Sequence, residues 1–143
     1  MAKIALDIVT PERKVLSVEA DFIVLPAFAG ELGVLPGHAP LLSQLAPGQL
    51  RIRQGEEVQF FAVSGGFVEV QDNKVSVFAE TAEMPEEINV ERARLAKGRA
   101  QAAINNKAST PQDLAAAQGA LRRALIRLRV SEGLSRMKKK MYS

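Results

Sequence analysis

At 143 residues, 47% of them apolar and 24% charged, the chain has room for one ordinary domain with an appendage, or for two very small ones, and is too apolar for wholesale disorder. It contains no cysteine, which excludes disulfides, thiolate metal sites and cysteine nucleophiles, so stability must come from packing. The net charge of +3 conceals a division after Met84: residues 1 to 84 carry 6 Lys/Arg against 11 Asp/Glu, net −5, and residues 85 to 143 carry 13 against 5, net +8. The two parts are therefore suited to different partners, and the basic one to something acidic: nucleic acid, anionic lipid or an acidic protein surface.

The chain opens Met1-Ala2-Lys3 with Asp7 close behind, lacking the apolar run of a secretory signal, and no stretch reaches the roughly 18 apolar residues that span a bilayer. A folded protein of the cytoplasm is expected. Prolines 11, 26, 36, 40 and 47 and seven of the ten glycines lie in the first 66 residues and separate short alternating runs, a texture of β-structure. Strands are expected at Lys3–Val9, Val15–Leu25, Gln49–Arg53, Glu57–Val63, Phe67–Gln71 and Lys74–Ala79, with a shorter one near Gly33–Leu35. Phe67-Val68-Glu69-Val70-Gln71 and Lys74-Val75-Ser76-Val77-Phe78 alternate with period two, and Asp72-Asn73 between them suits a tight hairpin turn. So many short strands without intervening helical pattern indicate a small sandwich or barrel.

After Pro85 the texture changes to alanine, arginine and leucine. A first helix is expected from about Glu86–Asn89, with Asn89 as cap, to Asn105-Asn106. A second opens at Ser109-Thr110-Pro111-Gln112-Asp113, with Thr110 as N-cap, Pro111 at the first helical position and Asp113 in the first turn. Gly133 is a reasonable point for it to end or bend. The short link predicts an antiparallel hairpin. Its facing stripes, Ala93, Ala96, Ala100, Ala103 and Ile104 against Leu114, Ala117, Leu121, Leu125 and Leu128, are rich in alanine and remove little apolar surface from water, at about 25 cal/mol per Å². Such a hairpin should be marginal alone and free to act as a moving element.

Catalytic groups are sparse. The single histidine, His38, sits in a Pro/Gly-rich turn and reads as a surface or loop-anchoring imidazole, and no triad or metal cluster is visible. Gly30-Glu31-Leu32-Gly33-Val34-Leu35-Pro36-Gly37 lacks the Gly-Lys-Ser/Thr ending of a phosphate loop and reads as a turn with a strand, whose exposed acid Glu31 suits a docking tip. The clearest chemical signal is basic: Arg122, Arg123, Arg127, Arg129, Arg136 and Lys138 to Lys140, with only Glu132 to offset them between Leu114 and Ser143. No aromatic side chain interleaves with these cations, which argues against nucleic acid, and no bulky aromatic face accompanies them, which argues against a membrane surface.

Three segments, Gly30 to Leu41 (GELGVLPGHAPL), Val63 to Val70 (VSGGFVEV) and the basic helix around Leu125 to Glu132, together with the opening Leu6-Asp7-Ile8-Val9-Thr10-Pro11-Glu12, resemble the epsilon subunits of bacterial F-type ATP synthases, in order and along the whole chain. The resemblance implies an α+β protein: a ten-stranded β-sandwich over residues 1 to 84 that binds the gamma subunit and the c-subunit ring, then an antiparallel α-helical hairpin over residues 85 to 143 with a regulatory role. It implies a non-catalytic rotor subunit of the central stalk, coupling proton flow to ATP synthesis, peripheral on the cytoplasmic face of the inner membrane and attached there only through the complex. Glu31 and Leu32 resemble the c-ring contact, and His38 to Ser43 the gamma contact. The basic residues Arg122, Arg123, Arg127 and Arg129 resemble the arm that extends into the alpha and beta subunits, meets an acidic segment of beta and blocks ATP hydrolysis. No cofactor is required, but some members bind ATP as a regulatory ligand. The matching motif here is Ile88-Asn89-Val90-Glu91-Arg92-Ala93, with asparagine in place of the family's aspartate; Glu83, Arg99 and Arg122 match supporting positions, and Ile126 stands where binders tend to carry arginine. Three alternatives to the inhibitory rotor follow: an ATP-sensing latch, a basic nucleic-acid-binding adaptor, and, last, an enzyme with no identifiable catalytic residues.

Overall fold

The computed structural model describes residues 2 to 106 and 109 to 142, with side chains as far as Glu132. It divides into two compact units, Met1–Glu83 and Met84–Ser143. The first unit holds ten strands: β1 (Ile4–Val9), β2 (Lys14–Ala20), β3 (Phe22–Ala27), β4 (Gly30–Val34), β5 (Leu41–Leu45), β6 (Gly48–Gln54), β7 (Glu57–Val63), β8 (Gly66–Gln71), β9 (Lys74–Ala79) and β10 (Ala82–Glu83). They form one sheet in the order β10-β7-β6-β3-β5-β8-β9-β1-β2, with β4 paired to β3 off this path. All pairs are antiparallel except β1 with β9, where Ala5 lies opposite Lys74 and Val9 opposite Phe78. The sheet folds over a common interior in which Ile4, Leu6 and Ile8 of β1, Leu50 and Ile52 of β6, Phe61 of β7, Val68 of β8 and Val75 and Val77 of β9 are wholly buried. This is the expected sandwich, followed by the expected helices.

Alternation explains the interior. In β8 and β9 the register sets Val68 opposite Val77 and Val70 opposite Val75, so every second residue of both strands enters the core and those between face water. Asp72 (φ 51°) and Asn73 (φ 59°) form the turn between them, the left-handed pair that a two-residue hairpin needs.

The run expected as one strand over Val15–Leu25 is two. The chain turns at Asp21, whose carboxylate accepts from Lys3 Nζ and from the Gly55 backbone N–H, each at 2.6 Å; β2 stays with β1, while β3 moves to β6. Apolar alternation on both sides of Asp21 hid that corner. Strand β4 starts three residues before the expected Gly33 and forms a hairpin with β3. Pattern reading missed β5, whose Leu-Leu-Ser-Gln-Leu sequence shows little period and lies between Pro40 and Pro47, and the two-residue β10.

The second unit begins with a 3-10 turn over Pro85–Glu87 and continues as α1 (Val90–Ile104) and α2 (Pro111–Tyr142). Asn89 caps α1, its Oδ1 accepting from the Arg92 N–H at 3.0 Å. Thr110 and Asp113 satisfy each other at the start of α2: the Asp113 N–H donates to Thr110 Oγ1 at 3.1 Å, and the Thr110 N–H to Asp113 Oδ2 at 3.3 Å, a reciprocal box with the shorter acid. The helices pack as a hairpin, burying Ala93 and Ala100 of α1 and Ala117 and Ala124 of α2. Of the end or bend expected at Gly133, the end does not occur: α2 continues to Tyr142. An interior glycine costs about 1 kcal/mol, and the Leu, Arg, Met and Lys that follow are helix formers able to offset it.

Gly66 shows how tightly the sandwich is joined. It has φ +118°, and a Cβ added there would lie 1.9 Å from the carbonyl oxygen of Phe78. Gly66→Ala should lower the unfolding free energy by about 3 kcal/mol or more, whereas Gly98→Ala, on α1 with open space around it, should gain up to about 1 kcal/mol. Denaturant titration of the two variants checks both signs.

Candidate functional site

The outward register of β5, β8, β9 and β1 carries apolar side chains where alternation would put polar ones. Phe67 of β8 lies opposite Phe78 of β9 on one side and Gln44 of β5 on the other, and Leu42 lies opposite Glu69, one step diagonal from Phe67. Val9 of β1 extends the row beyond Phe78. Leu42 is 72% exposed, Phe67 57% and Phe78 49%, so three large apolar side chains stand contiguously on a sheet face, the arrangement that marks an interaction surface. Its rim is charged. Asp7 accepts from the Ser17 hydroxyl at 2.7 Å and pairs with Lys74 at 3.1 Å; the Ser17 hydrogen bond first, then that to Lys74, holds its carboxyl below the usual carboxylate range.

The residues singled out by sequence fall around this face unevenly. His38 closes the turn Leu35–His38, its N–H donating to the Leu35 carbonyl at 3.1 Å, with Gly37 at φ +84°; its half-buried ring places Nδ1 2.7 Å from the Ala39 carbonyl. That is the loop-anchoring imidazole. Ser43 lies opposite Val68, in the core-facing register and half-buried, so its neighbours Leu42 and Gln44 present the outer face instead. Glu31 and Leu32 lie on β4, Glu31 exposed opposite Pro26 and Leu32 half-buried opposite Leu25. Beside them, at the tip of the β3–β4 hairpin, Phe28 is 80% exposed. Leu42 lies within the His38 to Ser43 segment expected to face gamma, but Phe28 and the Phe67–Phe78 pair were not singled out by sequence reasoning. The signal for the pair was present: each aromatic shares its strand register with Glu69 or Ser76.

In the second unit Ile88 and Ala93 are buried and Asn89 is occupied as a cap. Arg92 and Arg99 are exposed and, seven residues apart, share one face of α1. The buried Ala93–Ala100 stripe separates them from Arg94, Lys97 and Gln101, which line an open groove of about 510 Å³ with Leu128, Ser131 and Glu132 of α2. On α2 Arg122, Arg123 and Arg129 are exposed, Arg127 is half-buried, and Ile126 is buried. Among the described residues no ion pair involves Arg122, Arg123 or Arg129. Glu83, the remaining motif position, belongs to the first unit, on β10 opposite Ala62. Arg136 and Lys138 to Lys140 lie outside the described side chains. Among the described residues no group of His, Cys, Asp and Glu is arranged to hold a metal, and no helix is long and apolar enough to cross a membrane.

Comparison with known proteins matches both units. Residues 3–85 fit the family model "ATP synthase, Delta/Epsilon chain, beta-sandwich domain", and residues 86–132 fit "ATP synthase, Delta/Epsilon chain, long alpha-helix domain". The ATP synthase epsilon chain of Desulforamulus reducens is 49% identical over 127 residues, covering 89% of this chain and 96% of that one. That of Nitratidesulfovibrio vulgaris is 51% identical over 128 residues, covering 87% and 92%. Among solved structures, a chain of the Euglena gracilis mitochondrial ATP synthase assembly comprising OSCP, F1 and the c-ring superposes with a TM-score of 0.77 at 29% identity, covering 85% of this chain and 77% of that one. A chain of the Tetrahymena thermophila mitochondrial central stalk and c-ring shares the fold, with a TM-score of 0.61 at 20% identity over 91% and 97%. Matched along both units by the family's models and at about half identity by its bacterial epsilon chains, the chain belongs to the ATP synthase delta/epsilon chain family.

Proposed function

We propose that the chain is the non-catalytic epsilon subunit of a bacterial F-type ATP synthase, a component of the central stalk that couples proton flow to ATP synthesis by joining the gamma subunit to the c-ring. The observation that carries this reading is the apolar face of Leu42, Phe67 and Phe78. A rotor subunit must transmit torque without slipping, and a desolvated aliphatic and aromatic anchor with a charged rim supplies a contact of that kind. Gamma is the occupant of this face, and the β3–β4 tip with Phe28, Glu31 and Leu32 meets the c-ring. The chain is held at the cytoplasmic face of the membrane through these partners alone. Titration of the purified chain with gamma checks the face: Leu42→Glu and Phe67→Glu should each weaken binding about 100-fold with unchanged circular dichroism. Wild-type affinity in both variants would refute the assignment.

The second unit serves as an inhibitory arm. Helix α2, 32 residues and so about 48 Å long at 1.5 Å per residue, presents Arg122, Arg123 and Arg129 to solvent. These cations suit an acidic segment of the beta subunit within the catalytic alpha-beta hexamer. In the assembled complex, replacing these three arginines with alanine should raise ATP hydrolysis several-fold at low ionic strength, and the difference should shrink with added salt. An unchanged hydrolysis rate removes the inhibitory role.

ATP sensing is the second reading, favoured by the shared exposed face of Arg92 and Arg99. Asn89 works against it, since its oxygen is committed to the helix cap and a carboxamide forgoes the stronger charge-assisted bond. Calorimetric titration with MgATP should show Asn89→Asp, which keeps the cap, binding about tenfold more tightly than the wild type. Absence of heat from both proteins would eliminate nucleotide binding by the isolated subunit.

A further inference from the structure

The turn residue Asn73 does more than reverse the chain. Its Nδ2 donates to the carbonyl of Lys3 at 2.6 Å, and its Oδ1 accepts from the N–H of Gly37 at 3.0 Å. Its own carbonyl accepts from the N–H of Ala5 at 3.2 Å. One residue thus joins three segments remote in sequence: the β8–β9 turn, the start of β1, and the loop between β4 and β5. Because Gly37 N–H can only donate and Lys3 C=O can only accept, the orientation of the carboxamide is fixed. Aspartate would set a second oxygen against the Lys3 carbonyl, and alanine or serine would lack the reach to span both groups.

The pinned loop has a specific position. Residues 35 to 40 carry exposed Leu35 and the turn that His38 closes, and they lead directly into Leu41 and Leu42 at the start of β5. The opposite end of the same span is also held by the β8–β9 hairpin, through the pairing of Leu41 with Val70. Without Asn73, Gly37 at φ +84° would sit in a loop closed only by its local turn. We propose that Asn73 is a positioning residue of the docking face: it preorganises the loop 35–40 next to Leu42, so that the loop need not be ordered when the partner binds. This inference rests on the reading of that face as the gamma-binding surface.

The conformation of Asn73 supplies a clean variant. At φ 59° glycine is at least as well accommodated as asparagine, so Asn73→Gly removes the carboxamide while leaving the turn able to form. Asp72→Gly is the control: it puts glycine at the other positive-φ position of the same turn and leaves the clamp intact. Two quantities are measured on the full chain, amide exchange at Gly37 by NMR and affinity for purified gamma. Asn73→Gly should speed exchange at Gly37 about tenfold or more and weaken gamma binding about tenfold, whereas Asp72→Gly should change neither. Gamma binding at wild-type strength by Asn73→Gly would overturn the positioning role, as would equal losses in both variants. If the wild-type chain itself fails to bind gamma, the docking reading falls and the positioning role with it; exchange at Gly37 then still tells whether the clamp holds the loop.

Discussion

The register of the β8–β9 hairpin is the constraint on which the first unit depends. Two consecutive residues at positive φ, Asp72 and Asn73, fix it, and with period-two alternation a slip of one residue would send every side chain of a strand to the opposite face. In the observed register Val68 meets Val77 inside and Phe67 meets Phe78 outside. The same choice therefore sets the core and the docking face together. It also decides what lies next to β1, because β9 provides the edge along which β1 pairs in parallel, and it brings the Asn73 carboxamide against Lys3 and Gly37. Core, face and loop are three results of one turn.

Much of this was legible in the amino-acid order because it is local. The Asp72-Asn73 turn, the alternation of β8 and β9, the Asn89 cap and the Thr110–Asp113 start of α2 are each written within a few consecutive residues. What was hidden depends on contacts distant in the chain. The corner at Asp21 follows from partners at Lys3 and Gly55, and β5 becomes a strand because β8 offers an edge to its unremarkable sequence. The candidate site was readable by the same division. Family motifs led to His38 and Ser43, yet the pleat turns Ser43 toward the core and leaves Leu42 outside, a distinction that needed the pairing of β5. The arginines of α2 were legible as charge, but the burial of Ile126 among them emerges only from packing.

The two units are held together internally by different physics. The sandwich is closed by fully buried Ile, Leu, Val and Phe side chains, each worth roughly 1.5–3 kcal/mol on burial. In the second unit four of the buried residues, Ala93, Ala100, Ala117 and Ala124, carry a single methyl group, and only Ile88, Ile126 and Val130 are larger among the described residues, so less apolar area leaves water than in the sandwich. Capping at both helix starts compensates at the ends, at about 1 kcal/mol per cap. A rigid first unit and a lightly held second one suit the division proposed here between transmitting torque and regulating it, since an element that changes position must have a small free-energy gap between its arrangements.

The parallel pairing of β1 with β9 bears on how the protein is made. Ala5 finds its partner at Lys74 and Val9 at Phe78, so β1, made before the other nine strands described, can pair early with β2 but must wait for nearly the whole of the first unit before its other edge is covered. Until then an apolar strand with Ile4, Leu6 and Ile8 on one face is open along that edge, the state in which strands join the wrong partner. Closure comes late in synthesis, when the hairpin of β8 and β9 emerges as a preformed template. The helices that follow are built from near-neighbour contacts and carry no such delay. The exposed edge of β1 is therefore a feature of the unfinished first unit, removed once β9 is available to pair with it.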